Sequence, residues 1–197
     1  GSFGVKQAVF SYIVALCLAS KKVGKPLKWV EDRLEHLLAA TSATGRESKL
    51  QAAVLENGEL IGLKITQFDD CGGYLRAPEP ASLYRMHGNL SGAYKVKNIS
   101  LTNNVVLTNK TPSGLNRGFG GPQFYYGLER LMQKIAKVLQ KPHLEIIKTN
   151  LLNSDMFPYR TPSGGVLDSG NYKKAIEKAE VEGKLEELFK KRKKQKL

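Results

Sequence analysis

The sequence predicts an α+β domain with helices packed on a mixed or antiparallel sheet. Three observations carry that reading. Two alternating segments, 49–56 and 59–68, flank Asn57-Gly58, the pair that a two-residue hairpin favours because its central positions need positive φ. Tyr125, Leu128, Met132, Ile135 and Leu139 recur at helical spacing and give one apolar face. Helices and strands follow one another in no regular alternation and without internal repeats, which argues against a βαβ series or a solenoid.

In chain order, residues 5–20 read as a helix. Val9, Phe10, Ile13, Val14, Leu16, Cys17 and Leu18 leave it little polar face, which predicts burial on most sides. Gly24 and Pro26 end it. Residues 26–30 read as a short strand and 31–40 as a short helix with Leu34, Leu37 and Leu38 inward. After the hairpin, 69–80 is rich in glycine and proline and reads as a loop. Residues 81–90 suit a short helix, and 93–108 one or two strands with Val96, Ile99, Leu101, Val105 and Leu107 inward. A turn-rich connection, 111–121, reaches the amphipathic helix. Pro142 suits the first position of the next helix, whose apolar side is Leu144, Ile146 and Ile147. Residues 153–165 read as extended, and Asp168 or Ser169 as the cap of a last helix from about Asn171, weakened in its middle by Gly183. The organisation expected is one segment over 1–167 and a basic C-terminal helix over 168–197.

Composition is that of a globular protein, 41% hydrophobic and 25% charged. The net charge of +13 would by itself suggest a polyanion such as nucleic acid. The charge gathers, however, in the tail Lys190-Lys191-Arg192-Lys193-Lys194-Gln195-Lys196, where cations suit a helix C-terminus, so a solvated helix end is the stronger reading. The longest apolar run, 8–19, is too short to span a bilayer. Cys17 reads as core and Cys71 as a loop residue; neither belongs to a metal-ligand spacing or a disulfide framework, which fits a reducing cytoplasm. His36, His87 and His143 are scattered and carry no catalytic role.

The functional signal is Asn116-Arg117-Gly118-Phe119-Gly120-Gly121-Pro122-Gln123. Three glycines in four positions let the backbone turn sharply and approach a ligand closely, and Pro122 presets φ for a helix start. A turn of this kind at a helix N-terminus offers N–H groups to an anion or an oxo ligand; alone, it also reads as a tight loop without a ligand. Gly1-Ser2-Phe3-Gly4-Val5-Lys6 is a second glycine turn leading into a helix.

With Lys28-Trp29-Val30-Glu31-Asp32-Arg33-Leu34-Glu35, Phe157-Pro158-Tyr159 and Asp168-Ser169-Gly170-Asn171-Tyr172, these two turns resemble the molybdopterin-binding large subunit of the xanthine dehydrogenase and aldehyde oxidase family. The last two stretches also resemble its carbon monoxide-oxidising branch. The resemblance implies part of the family's molybdenum-cofactor domain. In that family a glutamate near the subunit's C-terminus acts as base, and electrons leave through 2Fe-2S clusters to FAD on partner subunits. Carried over residue by residue, Phe3, Gly4, Arg117 and Gly118 are the expected cofactor-binding positions, and Phe119 and Arg85 the substrate-binding ones. Gln7 stands where the xanthine-oxidising branch has a substrate-binding glutamate, which argues against a purine specialist. Gly118 stands where the carbon monoxide branch has a copper-ligating cysteine, so copper chemistry is not expected and an aldehyde or heterocycle hydroxylase fits better.

The resemblance runs nearly the length of the chain but covers only part of the family's subunit. The expectation is therefore a fragment or split piece that forms part of the cofactor and substrate pocket and lacks the catalytic glutamate. Glu177, Glu180, Glu182, Glu186 and Glu187 lie in a charged helix and do not take that role, and no catalytic or metal-ligating residue is assigned. The remainder of the large subunit, an iron–sulfur subunit and a flavin subunit are the expected partners. The competing reading is a stand-alone, cofactor-free module that binds a partner protein or an anion.

Overall fold

The computed structural model describes residues 3–6, 9–43, 45–77, 79 and 87–194. Its contacts fall into two compact units: Gly1–Lys49, Thr66–Met86 and Thr102–Tyr126 make the first, and Leu50–Ile65, His87–Leu101 and Gly127–Leu197 the second.

The first unit opens with helix α1, Ser11–Val23, which ends at Gly24 in the left-handed region, φ 67°, with the Gly24 N–H donating to the Ser20 carbonyl. Residues 26–30 form no strand. Helix α2, Arg33–Ala39, begins at a full capping box: Asp32 accepts from the Glu35 N–H, and the Glu35 carboxylate accepts from the Asp32 N–H, each at 2.8 Å. Neither helix contains a buried residue. This corrects the expectation of a buried first helix. Val14 and Leu18 are half or more exposed, Cys17 lies at the surface, and Leu34, Leu37 and Leu38 are each over 60% exposed. An apolar sequence reports that a face wants cover, and among the described residues none of these side chains is buried.

Strands β1 (Gly45–Val54), β2 (Leu60–Asp70) and β3 (Asn98–Val106) form one sheet in that order. β1 and β2 are the two arms of the Asn57-Gly58 hairpin, closed by the Leu55 N–H on the Glu59 carbonyl at 2.9 Å. β3 arrives by a long crossover and runs parallel to β2. Its contacts advance in step along both strands: the Asn98 and Asn104 side-chain amides donate to the Ile61 and Gln67 carbonyls, and the Cys71 N–H donates to the Val106 carbonyl. The sheet is mixed, as expected. Of the residues expected to face inward near β3, Val96 is buried but Val105 and Leu107 are exposed.

The second unit has the apolar centre. Helix α3, Gly121–Val138, contributes Leu128, Met132 and Ile135 to it, and helix α4, His143–Asn150, contributes Ile146. Asn150 is fully buried and staples the hairpin loop to α4: its amide oxygen accepts from the Leu60 N–H, and its NH₂ donates to the Gly58 and Ile146 carbonyls. The Tyr94 hydroxyl reaches both oxygens of Glu129 at 2.8 and 2.9 Å, and burial pushes that phenol well above its usual range. A two-residue antiparallel pair, β4 (Tyr159–Arg160) with β5 (Val166–Leu167), precedes the tail. The tail is two helices rather than one. Asn171 caps α5, Tyr172–Glu182, by accepting from the Lys174 N–H, and the chain breaks at Gly183 before α6, Leu185–Lys194. Among the described residues no helix is long and apolar enough to cross a membrane.

Candidate functional site

The Asn116–Gln123 stretch forms a turn that few sequences could make. Gly118, Phe119 and Gly120 all have positive φ, 86°, 39° and 86°. For phenylalanine that region costs about 1–2 kcal/mol. Gly118 has no alternative: a Cβ there would sit 2.5 Å from Pro122 Cγ. Two backbone bonds close the turn, Phe119 N–H to Asn116 O at 2.8 Å and Gly121 N–H to Gly118 O at 3.0 Å, and α3 starts from it. Gly118 and Arg117 are exposed, while Phe119 is only 7% exposed.

Two charged residues that the sequence reading did not single out lie beneath the turn. Arg46 on β1 and Asp69 on β2 form a buried fork: Nε donates to Oδ1 at 2.6 Å and Nη2 to Oδ2 at 3.1 Å, with side-chain exposures of 2% and 0%. The remaining arm, Nη1, donates to the Gly120 carbonyl at 3.1 Å. The signal that could have found the pair was the period of β2. Leu63, Ile65, Gln67 and Asp69 alternate as one buried face, so Asp69 had to be inward and needed a cation.

The run leading to the turn is tied down as well. The Asp70 carboxylate accepts from the Gly72 N–H at 3.0 Å, from the Thr108 hydroxyl, and from Lys110 Nζ at 2.5 Å; Lys110 first, then Thr108, hold its pKa down at about 2. Cys71 is buried, contrary to a loop residue's usual exposure, and burial pushes its thiol up. The Ser113 N–H donates to the Cys71 carbonyl and the Gly114 N–H to the Ser42 carbonyl.

The first glycine turn packs on this run. Gly4 has φ 113°, and a Cβ on it would come within 2.7 Å of the Leu115 carbonyl oxygen. Phe3, also at positive φ, lies under the Arg117 guanidinium, whose carbon is 4.5 Å from the ring centroid. Phe3 and Arg117 are thus in contact, Gly4 packs on Leu115 beside them, Gly118 follows Arg117 in the chain, and Phe119 is buried. Arg85 and Gln7 lie outside the described residues. Cys17 and the three histidines stand apart from these turns in the sequence; His36 pairs with Glu31 at 2.6 Å. Among the described residues no cluster of His, Cys, Asp or Glu could hold a metal ion directly.

The donor chemistry suits an anionic or oxo-bearing group carried by a cofactor. Among the described residues no carboxylate pairs with Arg117. The N–H groups of Gly118 and Gly120 donate to no described acceptor, and N–H groups free at such a turn suit an anion.

Comparison with known proteins agrees with this geometry. The molybdopterin cofactor-binding domain family matches residues 1–151. The chain is 32% identical over 197 residues to the 6-hydroxypseudooxynicotine dehydrogenase complex subunit gamma of Paenarthrobacter nicotinovorans, covering 95% of this chain and 25% of that protein. It is 30% identical over 184 residues to the carbon monoxide dehydrogenase large chain of Hydrogenophaga pseudoflava, covering 90% and 22%. Quinoline 2-oxidoreductase from Pseudomonas putida 86 superposes over 100% of this chain and 25% of its own with a TM-score of 0.91 at 28% identity. The chain spans about a quarter of the length of these relatives. By the match over most of its length, this chain belongs to the molybdopterin cofactor-binding domain family.

Proposed function

We propose that the chain forms one wall of the cofactor and substrate pocket of a molybdenum hydroxylase that oxidises an aldehyde or a heterocycle. The observation that carries this reading is the stacking of Arg117 on Phe3. These are the two positions at which the family motifs meet the metal's ligands, and they lie more than a hundred residues apart in the chain. A bound molybdenum–molybdopterin would supply oxygen transfer to carbon and take up two electrons. The chain's own part is binding and charge stabilisation. The backbone of Phe3, Gly4 and Gly118 and the Arg117 guanidinium would face oxo or phosphate oxygens, with donors already fixed before the ligand arrives. Phe119 and Arg85 would define the substrate side.

The general base belongs, on this reading, to the remaining part of the large subunit. Three of the tail carboxylates sit in ion pairs: Glu180 with Lys148, Glu182 with Lys178 and Glu186 with Lys190. An iron–sulfur subunit and a flavin subunit complete the assembly in the cytoplasm, in keeping with relatives named as a complex subunit and a large chain. Glycine at 118 leaves no thiolate for copper at that point of the turn.

The test is co-expression with the rest of the subunit and its partners, followed by molybdenum content and turnover for Gly118→Val and Phe119→Leu. Valine at 118 should cost at least tenfold in turnover because its Cβ meets Pro122 and its φ is forbidden. Phe119→Leu should keep molybdenum and weaken turnover of planar substrates. Full activity in Gly118→Val would reduce the turn to a structural loop. A purified assembly without molybdenum would favour the cofactor-free binding module.

A further inference from the structure

We infer that Arg46 and Asp69 are the positioning pair of the Arg117–Gly121 turn, setting the direction in which that turn presents its N–H groups and its arginine. The inference rests on the reading that this turn meets the cofactor, and it adds to it two residues from the sheet.

A buried ion pair is a costly way to fill a strand position. Apolar residues of similar volume commonly do the same packing at no loss of stability, and on the same face of β2 Leu63 and Ile65 do so. What the pair supplies is direction. Asp69 takes two of the three arms of the guanidinium, at 2.6 and 3.1 Å, and so fixes its plane. The third arm, Nη1, donates to the Gly120 carbonyl at 3.1 Å. That carbonyl also accepts the Phe124 N–H, at a long 3.3 Å, where α3 begins. The same atom is therefore gripped from the sheet and from the helix.

The turn needs such a grip. Three successive residues at positive φ, one of them Phe119, make a conformation that persists only when its surroundings over-determine it. Its internal bonds, Phe119 to Asn116 and Gly121 to Gly118, fix its curvature but not its orientation on the sheet. Asp69 also neutralises Arg46, whereas among the described residues no carboxylate pairs with Arg117.

The experiment uses the 197-residue chain and two variants, Arg46→Lys and the double Arg46→Met/Asp69→Leu. The double variant removes both charges without leaving one buried alone, so it is the one expected to fold. Thermal unfolding is read beside amide exchange at Phe119 and Gly121, with Leu128 and Met132 as reference amides in α3. The double variant should melt close to the parent, with reference protection unchanged and the Phe119 and Gly121 amides exchanging at least tenfold faster. Arg46→Lys keeps the charge but cannot serve both Asp69 oxygens and the carbonyl, so its turn amides should speed up similarly. Turn protection equal to the parent's in the double variant would overturn the inference, and so would a uniform acceleration at all four amides. In the assembled enzyme the double variant should retain molybdenum and lose turnover by a similar factor. A parent assembly without molybdenum overturns the functional reading whatever the exchange rates are. A loaded parent assembly combined with unaltered turn exchange in the double variant overturns this inference alone.

Discussion

Leu128, Met132, Ile135, Ile146, Leu151 and Leu152 close one unit of the chain around an apolar centre, whereas the unit with the two glycine turns buries Arg46, Asp69, Gln67, Thr41 and Ser113 and leaves α1 and α2 uncovered. The two units spend their sequence on different things. The apolar unit gains its stability from area removed from water, which is non-directional. The turn-bearing unit fixes directions: a fork under Gly120, a carboxylate under Thr108 and Lys110, and a guanidinium over Phe3. Polar fixing of this kind specifies geometry better than it stabilises. The unit with the candidate site is therefore the one held more by directed polar contacts than by a closed apolar centre.

The largest expected effect sharpens that contrast. Met132→Ala, at a fully buried position, should cost about 2–5 kcal/mol in chemical denaturation of the chain. Leu18→Ala, on a residue 63% exposed in α1, should change it by less than about 0.5 kcal/mol. Comparable losses at the two positions would mean that α1 is packed after all.

Next in size is Asn150→Leu. It removes the acceptor of the buried Leu60 N–H and the donor to the Gly58 and Ile146 carbonyls, and leaving the Leu60 N–H without an acceptor costs about 1–3 kcal/mol. The loss should fall on the hairpin loop, with faster amide exchange at Leu60. Unchanged exchange at Leu60 would show that Asn150 does not staple the loop.

A smaller effect is expected at the uncovered helices. Replacing Leu34, Leu37 and Leu38 together by glutamine should leave folding stability within about 1 kcal/mol, because all three are over 60% exposed. It should nevertheless reduce self-association in sedimentation velocity, since it breaks up a contiguous apolar patch. A parent chain that sediments as a clean monomer at high concentration would end the claim that this surface seeks a partner.

Much of this was legible in the sequence, and the failures have physical causes. Asn57-Gly58 announced the hairpin because Gly58 readily takes the positive φ its loop needs, and the period of Tyr125, Leu128 and Met132 announced α3 because a helix repeats its face. The parallel arrival of β3 was not legible, since a period of two is the same for either pairing direction. The exposure of α1 was missed because an all-apolar helix reads as buried whether or not its cover belongs to the same chain. Of the site, the glycines and Pro122 of the second turn stood out by their conformational demands. That Phe3 and Arg117 serve one site was an expectation from resemblance alone, and their contact needed the fold to be seen. Arg46 and Asp69 were passed over because charged residues on strands usually face water.

The smallest expected effect concerns pH and the run that leads to the turn. Asp70 ordinarily would titrate at 3.8, but here its pKa is about 2, held down first by the Lys110 ammonium, then by the Thr108 hydroxyl and the Gly72 N–H. A depressed carboxylate stabilises the fold fully above its unfolded value, and that contribution is lost as pH falls toward the folded value. The window is therefore the interval from 3.8 down to about 2. Lys110 is 72% exposed, so salt should weaken its share, whereas the Thr108 and Gly72 bonds should persist. Asp70→Asn keeps the shape of the acceptor and removes the charge. Urea midpoints measured from about pH 6 to about pH 2.5 should show the parent losing a component below its upper limit that the variant never had, so the two curves converge on acidification. Raising the salt should narrow their separation at neutral pH without closing it. Curves that fall in parallel over the whole range would show that Asp70 contributes nothing to folding, and the run from Thr108 to Ser113 would then owe its shape to its backbone bonds with Ser42, Cys71, Gly72 and Gly73.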